Sequence, residues 1–194
     1  DNTEYDKTHA DRFTVDGKSI TMEEDVQFAH YDPNVASLMQ LGKWFDYMRE
    51  NGVYDNTRII LVADHGRGLY LNWDRVIDNG PDTDFFFPLL MVKDFNAKGF
   101  SFSDTFMTTA DVPTLATSGL IDNPTNPFTG NAINAKAKYD RPFYAFMSYD
   151  WDTSKNNGNQ FFPGTWYRVD NQNARDKRNW VMVGENTVLP DALR

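Results

Sequence analysis

Cysteine is absent from the 194-residue sequence. Disulfides and thiol catalysis are therefore excluded, and the absence fits either redox compartment. Long apolar runs are also missing. The longest, Phe85 to Val92, is broken by Pro88 and falls far short of the roughly eighteen residues that a membrane helix needs. Basic residues are in the minority, with 19 Lys and Arg against 28 Asp and Glu, for a net charge of -9. A surface of that sign is a poor partner for nucleic acid or anionic lipid. The sequence holds neither an internal repeat nor a low-complexity tract. It opens on Asp1-Asn2-Thr3 without an initiator Met or a signal peptide, and so reads as part of something longer.

Aromatic residues are plentiful, at 15% of the chain. That supports a packed body and argues against disorder. The length suits a single domain. Residues 1–29 are a weakly patterned lead-in, 30–134 an α/β part, and 135–194 a strand-rich tail. In the lead-in, Asp16-Gly17 between Phe13–Val15 and Ser19–Thr21 predicts a small hairpin. His9 there reads as an exposed loop residue. Val35 to Glu50 is the clearest helix. Val35, Leu38, Met39, Leu41, Phe45 and Met48 recur at helical spacing, and Trp44 widens the apolar face. Asp32 and Pro33 suit its start, and Asn51-Gly52 its stop. Gly42 inside it predicts close packing against a sheet.

Ile59 to Val62 is a continuous apolar run, mostly β-branched, which predicts a strand buried on both faces in a parallel sheet. With the helix before it, this strand makes half of a βαβ unit. Asp64 and His65 follow directly, where the chain leaves the carboxyl end of the strand. Ligands bind outside such ends in open α/β sheets. A carboxylate oxygen and an imidazole nitrogen are good ligands for a divalent metal. Arg67 and Arg75 are candidates for gripping an anionic oxygen, since a guanidinium matches a phosphate or sulfate fork. Both also have aspartates nearby with which to pair. His30, ahead of the predicted helix, is either a phosphate or sulfate contact or a tether at the helix entry.

Leu69 to Asp84, with Trp73, Asp74, Arg75, Asp78 and Asp82, reads as a polar surface excursion. Phe85 to Val92 is a second strand that Pro88 makes either start late or lie off-centre. Phe100-Ser101-Phe102 predicts a short edge strand, and Thr109 to Ser118 a helix stopped at Gly119. Asp104 and Asp111 suit helix capping better than metal ligation. Phe143–Tyr149, Trp166–Val169 and Trp180–Val183 predict an antiparallel meander. Its aromatic stripe suits a packed sheet face better than a platform for sugars.

Two blocks carry a family resemblance. Gly52-Val-Tyr-Asp-Asn-Thr57 leading to Ala63-Asp-His-Gly66 is the first. The second is Asp111-Val-Pro-Thr-Leu115 followed by Asn126-Pro-Phe-Thr-Gly130. Together they resemble the alkaline phosphatase superfamily, in the branch of sulfatases, phosphoglycerol transferases and lipoteichoic acid synthases. The resemblance covers roughly His30 to Gly130. It implies an α/β fold with part of an alkaline-phosphatase-like sheet flanked by helices, and a short antiparallel region at the carboxyl end. It implies that the chain is the carboxyl-terminal part of an enzyme acting on phosphate or sulfate esters, with Asp64 and His65 as a metal-ligand pair. The substrate implied is an anionic ester on a glycan or a lipid headgroup. The parent is expected to be membrane-anchored and to act on the extracytoplasmic face.

An imidazole at His65 favours zinc or manganese over calcium, which prefers oxygen ligands alone. No nucleophile is identifiable. Thr8, Thr14 and Thr21 have no motif around them, and without cysteine a formylglycine cannot form in this chain. The chain alone is therefore expected to be inactive and to bind metal weakly. The alternatives are a non-catalytic binding module that kept the same fold and, less favoured, an aromatic carbohydrate-binding unit made from the tail strands.

Overall fold

Glu24 opens the longest element, helix α1 (Asp25–Glu50). Gln27 turns its side-chain oxygen back to accept from the backbone N–H groups of Glu23 and Glu24, at 2.8 and 3.1 Å. This satisfies donors that no helical carbonyl reaches. The helix thus begins ten residues before the Val35 start that its apolar spacing predicts, and Pro33 lies inside it. Asn51 and Gly52 stop it as expected, with Gly52 at φ 67°. The expected core face is corrected. Only Gln27 and Met48 are buried on α1, whereas Leu38, Met39, Trp44 and Tyr47 are exposed. The space around Gly42 is open, so close packing does not account for it.

The computed structural model describes residues 12–15, 17–70, 75–78, 80–148 and 162–193. Thr8, His9, Trp73 and Asp74 lie outside these residues. Among these residues the architecture is mixed α/β, with three separate antiparallel sheets. Strands β1 (Arg12–Val15) and β2 (Lys18–Thr21) form the expected hairpin, with Gly17 at φ 78° in the turn.

Strand β3 (Ile59–Val62) forms where the apolar run predicts it, but its setting differs. It pairs antiparallel with β4 (Leu90–Lys93) in a two-stranded sheet. Val62 is 45% exposed, so the strand is not covered on both faces. The expected parallel sheet and βαβ unit are therefore absent among the described residues. The apolar run encodes the strand and leaves its partner open. The chain between the two strands folds back through a 3₁₀ turn at Thr83–Phe86, and the return runs antiparallel. As expected, β4 starts only after Pro88.

Arg58 ties this sheet to the next element. Its Nε donates to Asp94 Oδ1 at 3.0 Å, and its Nη1 donates to the carbonyls of Leu115, Ala116 and Ser118. Those carbonyls close helix α2 (Val112–Thr117), which follows a 3₁₀ turn at Thr109–Asp111. A guanidinium there satisfies acceptors that have no helical partner. Phe100 and Phe102 form no strand, contrary to expectation. They stack edge-to-face at 5.0 Å and are 72% and 91% exposed.

The carboxyl-terminal part is the expected meander. Strands β5 (Phe143–Met147), β6 (Gly164–Val169) and β7 (Trp180–Thr187) pair antiparallel in that order. Alternation along β6 turns Tyr167 and Val169 to one face, where they pack with Ala145 and Trp180 into the main buried cluster. Phe86, from the 3₁₀ turn before β4, enters the same cluster at 5.0 Å from the Trp180 ring. Full burial of a side chain of this kind stabilises by about 1.5–3 kcal/mol. The turn ahead of β4 is thereby fixed to the meander.

Candidate functional site

The ladder between β3 and β4 explains how Asp64 and His65 come to be exposed. Ala63 N–H still donates to the Leu89 carbonyl at 3.0 Å. Hydrogen-bonded pairs recur at every second residue of an antiparallel ladder, so the next would join His65 to Phe87. The Phe87 amide instead donates to Asp84 O at 3.2 Å, closing the 3₁₀ turn. Pairing stops, and the chain is caught again at Gly66, whose N–H donates to Phe85 O at 2.9 Å. Asp64 and His65 are the two residues between these anchors.

Their side chains lie on the same side. His65 Nε2 is 3.8 Å from Asp64 Oδ2, and the two side chains are 72% and 88% exposed, respectively. The backbone N–H of His65 donates to Asp64 Oδ1 at 2.9 Å. His65 Nδ1 lies 2.7 Å from the Gly66 carbonyl oxygen. A carbonyl only accepts, so Nδ1 donates in that contact and Nε2 is the ring nitrogen left for another partner. A backbone carbonyl on the far ring nitrogen is the usual way a metal-binding histidine is oriented. Metal bonds of about 2.0–2.2 Å to nitrogen and to oxygen allow the two ligand atoms to sit about 3–4 Å apart. The pair therefore fits a divalent cation chemically and geometrically. Among the described residues, no group of three or more His, Asp or Glu side chains is gathered for an ion.

The loop after the pair is laid on the segment that leads into β4. A Cβ on Gly66 would collide with the carbonyl oxygens of Asp84 and Phe87, and one on Gly68 would stand 2.6 Å from the Phe85 ring and 2.9 Å from Asp82 Cβ. Both positions require glycine for this close approach. Arg67 lies between them, exposed, with its guanidinium 5.6 Å from the Phe85 ring centroid. It pairs with no carboxylate among the described residues. Arg75 is placed differently. It donates to Asp84 Oδ1 at 2.7 Å, and its side chain is only 17% exposed, so its charge is already matched. His30 is not ahead of a helix but inside α1, where its carbonyl accepts from Asn34 Nδ2 at 2.6 Å.

Two buried residues under this loop escape the sequence reading. Asp82 and Thr83 are both 0% exposed, although the segment reads as a polar surface excursion. Asp82 accepts from the Tyr70 N–H at 3.0 Å and from the Asp84 N–H at 2.9 Å. Burial pushes its carboxyl above the ordinary range, against the pull of those two amides. Thr83 Oγ1 is buried with no hydrogen-bond partner. The one sequence signal was Asp82 two residues before Asp84, a spacing that suits an Asx turn or cap. Of the other acidic candidates, Asp111 accepts from Thr108 N–H at 2.8 Å and from Lys138 Nζ at 2.9 Å. Asp104 does not cap a helix; it stands 3.7 Å from Arg175 and is 93% exposed.

Compared with known proteins, the chain matches no protein-family model, no curated protein and no solved structure.

Proposed function

We propose that this chain is the carboxyl-terminal portion of a metal-dependent hydrolase or transferase acting on phosphate or sulfate esters. In this reading Asp64 and His65 supply part of the ion site. The observation that carries it is the disposition of the pair: an imidazole Nε2, opposite the ring nitrogen held by the Gly66 carbonyl, 3.8 Å from a carboxylate oxygen, on a loop open to solvent. The family resemblance of residues 30–130 supports the same reading; the alkaline-phosphatase-like sheet it implies would extend the β3–β4 pair with strands from outside the described residues. The mixed nitrogen and oxygen donors favour zinc or manganese over calcium. Such an ion, when bound, activates the attacking oxygen and balances charge on the transferring group. Arg67, whose charge is unmatched among the described residues, orients an anionic ester oxygen beside the ion, whereas Arg75 is already paired with Asp84.

The remaining ligands and the nucleophile come from outside the described residues. The substrate belongs to an anionic glycan or lipid headgroup, and the parent protein is anchored at the extracytoplasmic face of the membrane. No helix among the described residues is long and apolar enough to cross a membrane. Calorimetric titration with zinc tests the reading. Weak binding that is lost in Asp64→Ala and in His65→Ala is the expected result. Absence of binding in the wild-type chain, and in any longer chain that contains it, favours instead a non-catalytic module of the same fold.

A further inference from the structure

Asp64 and His65 are too exposed to be held by packing of their own. What fixes them is the chain that follows, from Gly66 to Tyr70. That loop has three anchors: Gly66 N–H on Phe85 O, the Leu69 carbonyl on Gln27 Nε2 at 3.1 Å, and Tyr70 N–H on Asp82 Oδ2 at 3.0 Å. Gly68 also lies directly against Asp82 Cβ.

Asp82 is the side chain that joins the loop to the turn beneath it. One of its oxygens caps the 3₁₀ turn through Asp84 N–H, and the other reaches across to Tyr70 N–H. Capping alone needs one acceptor, and a neutral Asn or Ser supplies it without the cost of burying a charge. The buried carboxylate is thus explained by its second bond, the one to the loop. Phe86, the last residue of the turn, packs against the meander core, which ties the turn under the loop to the meander.

We infer that Asp82 is a positioning residue for the Asp64–His65 ion site, setting where the Gly66–Tyr70 loop lies and so the direction of both ligand side chains. This rests on the metal reading above. Coupling between an ion site and its support is reciprocal, so an ion held by the pair must also tighten the Tyr70–Asp82 bond.

Amide hydrogen exchange and zinc affinity, measured on the whole chain, test this. In the wild type, zinc is expected to shift the His65 ring resonances and to slow exchange of the Tyr70 amide. Asp82→Asn is expected to raise the zinc Kd about tenfold or more, the usual effect of removing a residue that orients ligands. Thr83→Val, equally buried one residue on, is expected to leave the Kd unchanged. If zinc shifts His65 but Tyr70 exchange does not change and Asp82→Asn binds as tightly, Asp82 is a cap only and the inference is overturned. If zinc leaves the His65 ring untouched in the wild type, the metal reading falls first and this inference with it. Should Asp82→Asn fail to fold, the Tyr70 exchange in the wild type decides.

Discussion

Thr83 is the residue whose chemistry and surroundings agree least. Its hydroxyl is fully buried and has no partner among the described residues. A buried hydroxyl without a hydrogen bond costs about 1–3 kcal/mol, and Val has nearly the same shape. Thr83→Val should therefore stabilise the chain by about 1 kcal/mol, read as a higher urea midpoint at unchanged slope. Asp111 is the opposite case. Burial raises its carboxyl pKa, but hydrogen bonds from Thr108 and Lys138 outweigh that and hold it below the ordinary 3.8. A carboxyl depressed in the folded state stabilises above its unfolded pKa, and the contribution is lost as the pH falls through the folded value. The stability gap between wild type and Asp111→Asn should accordingly be widest above pH 3.8 and shrink in stronger acid. Asp82, with its carboxyl raised, contributes in the reverse sense: its favourable share is full at low pH and is lost as the pH rises through the folded value. Asp64 and His65 were legible as a pair because their neighbours in sequence define a strand end. The burial of Asp82 was not, because Gly68, from an earlier stretch of the chain, is laid against it.

Among the elements, α1 shows how a local signal misleads. Pro33 fits the first turn of a helix, and the sequence around it predicts a start there. The real start is at Asp25, eight residues earlier, where Gln27 supplies the cap. Pro33 then sits in the interior, lacks an N–H for the carbonyl four residues back and crowds it. Pro33→Ala should raise helix content by circular dichroism and stabilise the chain, by at most about 3 kcal/mol. At β3 the apolar spacing showed the strand but not its partner's direction, which depends on how residues 63–89 fold back. Arg58 is the joint between that sheet and α2. One guanidinium reaches Asp94 and three carbonyls, with its side chain 11% exposed. A lysine ammonium cannot span these acceptors, so Arg58→Lys and Arg58→Ala should both cost about 2 kcal/mol or more in chemical denaturation. Recovery of full stability by lysine would show that charge alone is what Arg58 supplies there.

For the molecule as a whole, the balance of buried and exposed apolar groups stands out. Among the described residues seven hydrophobic side chains are buried and twenty-two large ones are exposed. The meander with its aromatic cluster is the best-packed region, whereas α1 and the β3–β4 pair keep much of their apolar surface open. A two-stranded sheet is marginal without further strands or a covering helix. Exchange protection should therefore be deepest at Tyr167 and Val169 and shallower in β3 and β4. The meander was legible because its strands are close in sequence and rich in aromatic residues. The two-sided cover expected for β3 was not found, because a buried strand and a half-open one share the same apolar spelling.

The claim on which the account turns is that Asp64 and His65 hold one divalent ion together. Ring ¹⁵N resonances of His65, followed during a zinc titration of the wild-type chain and of Asp64→Ala, address it directly. The ring is expected to carry a proton at Nδ1 before zinc is added. Zinc is expected to shift the Nε2 resonance, and that shift is expected to weaken sharply once the Asp64 carboxylate is gone. A shift of equal size at equal zinc concentration in both proteins, or none in the wild type, would contradict it.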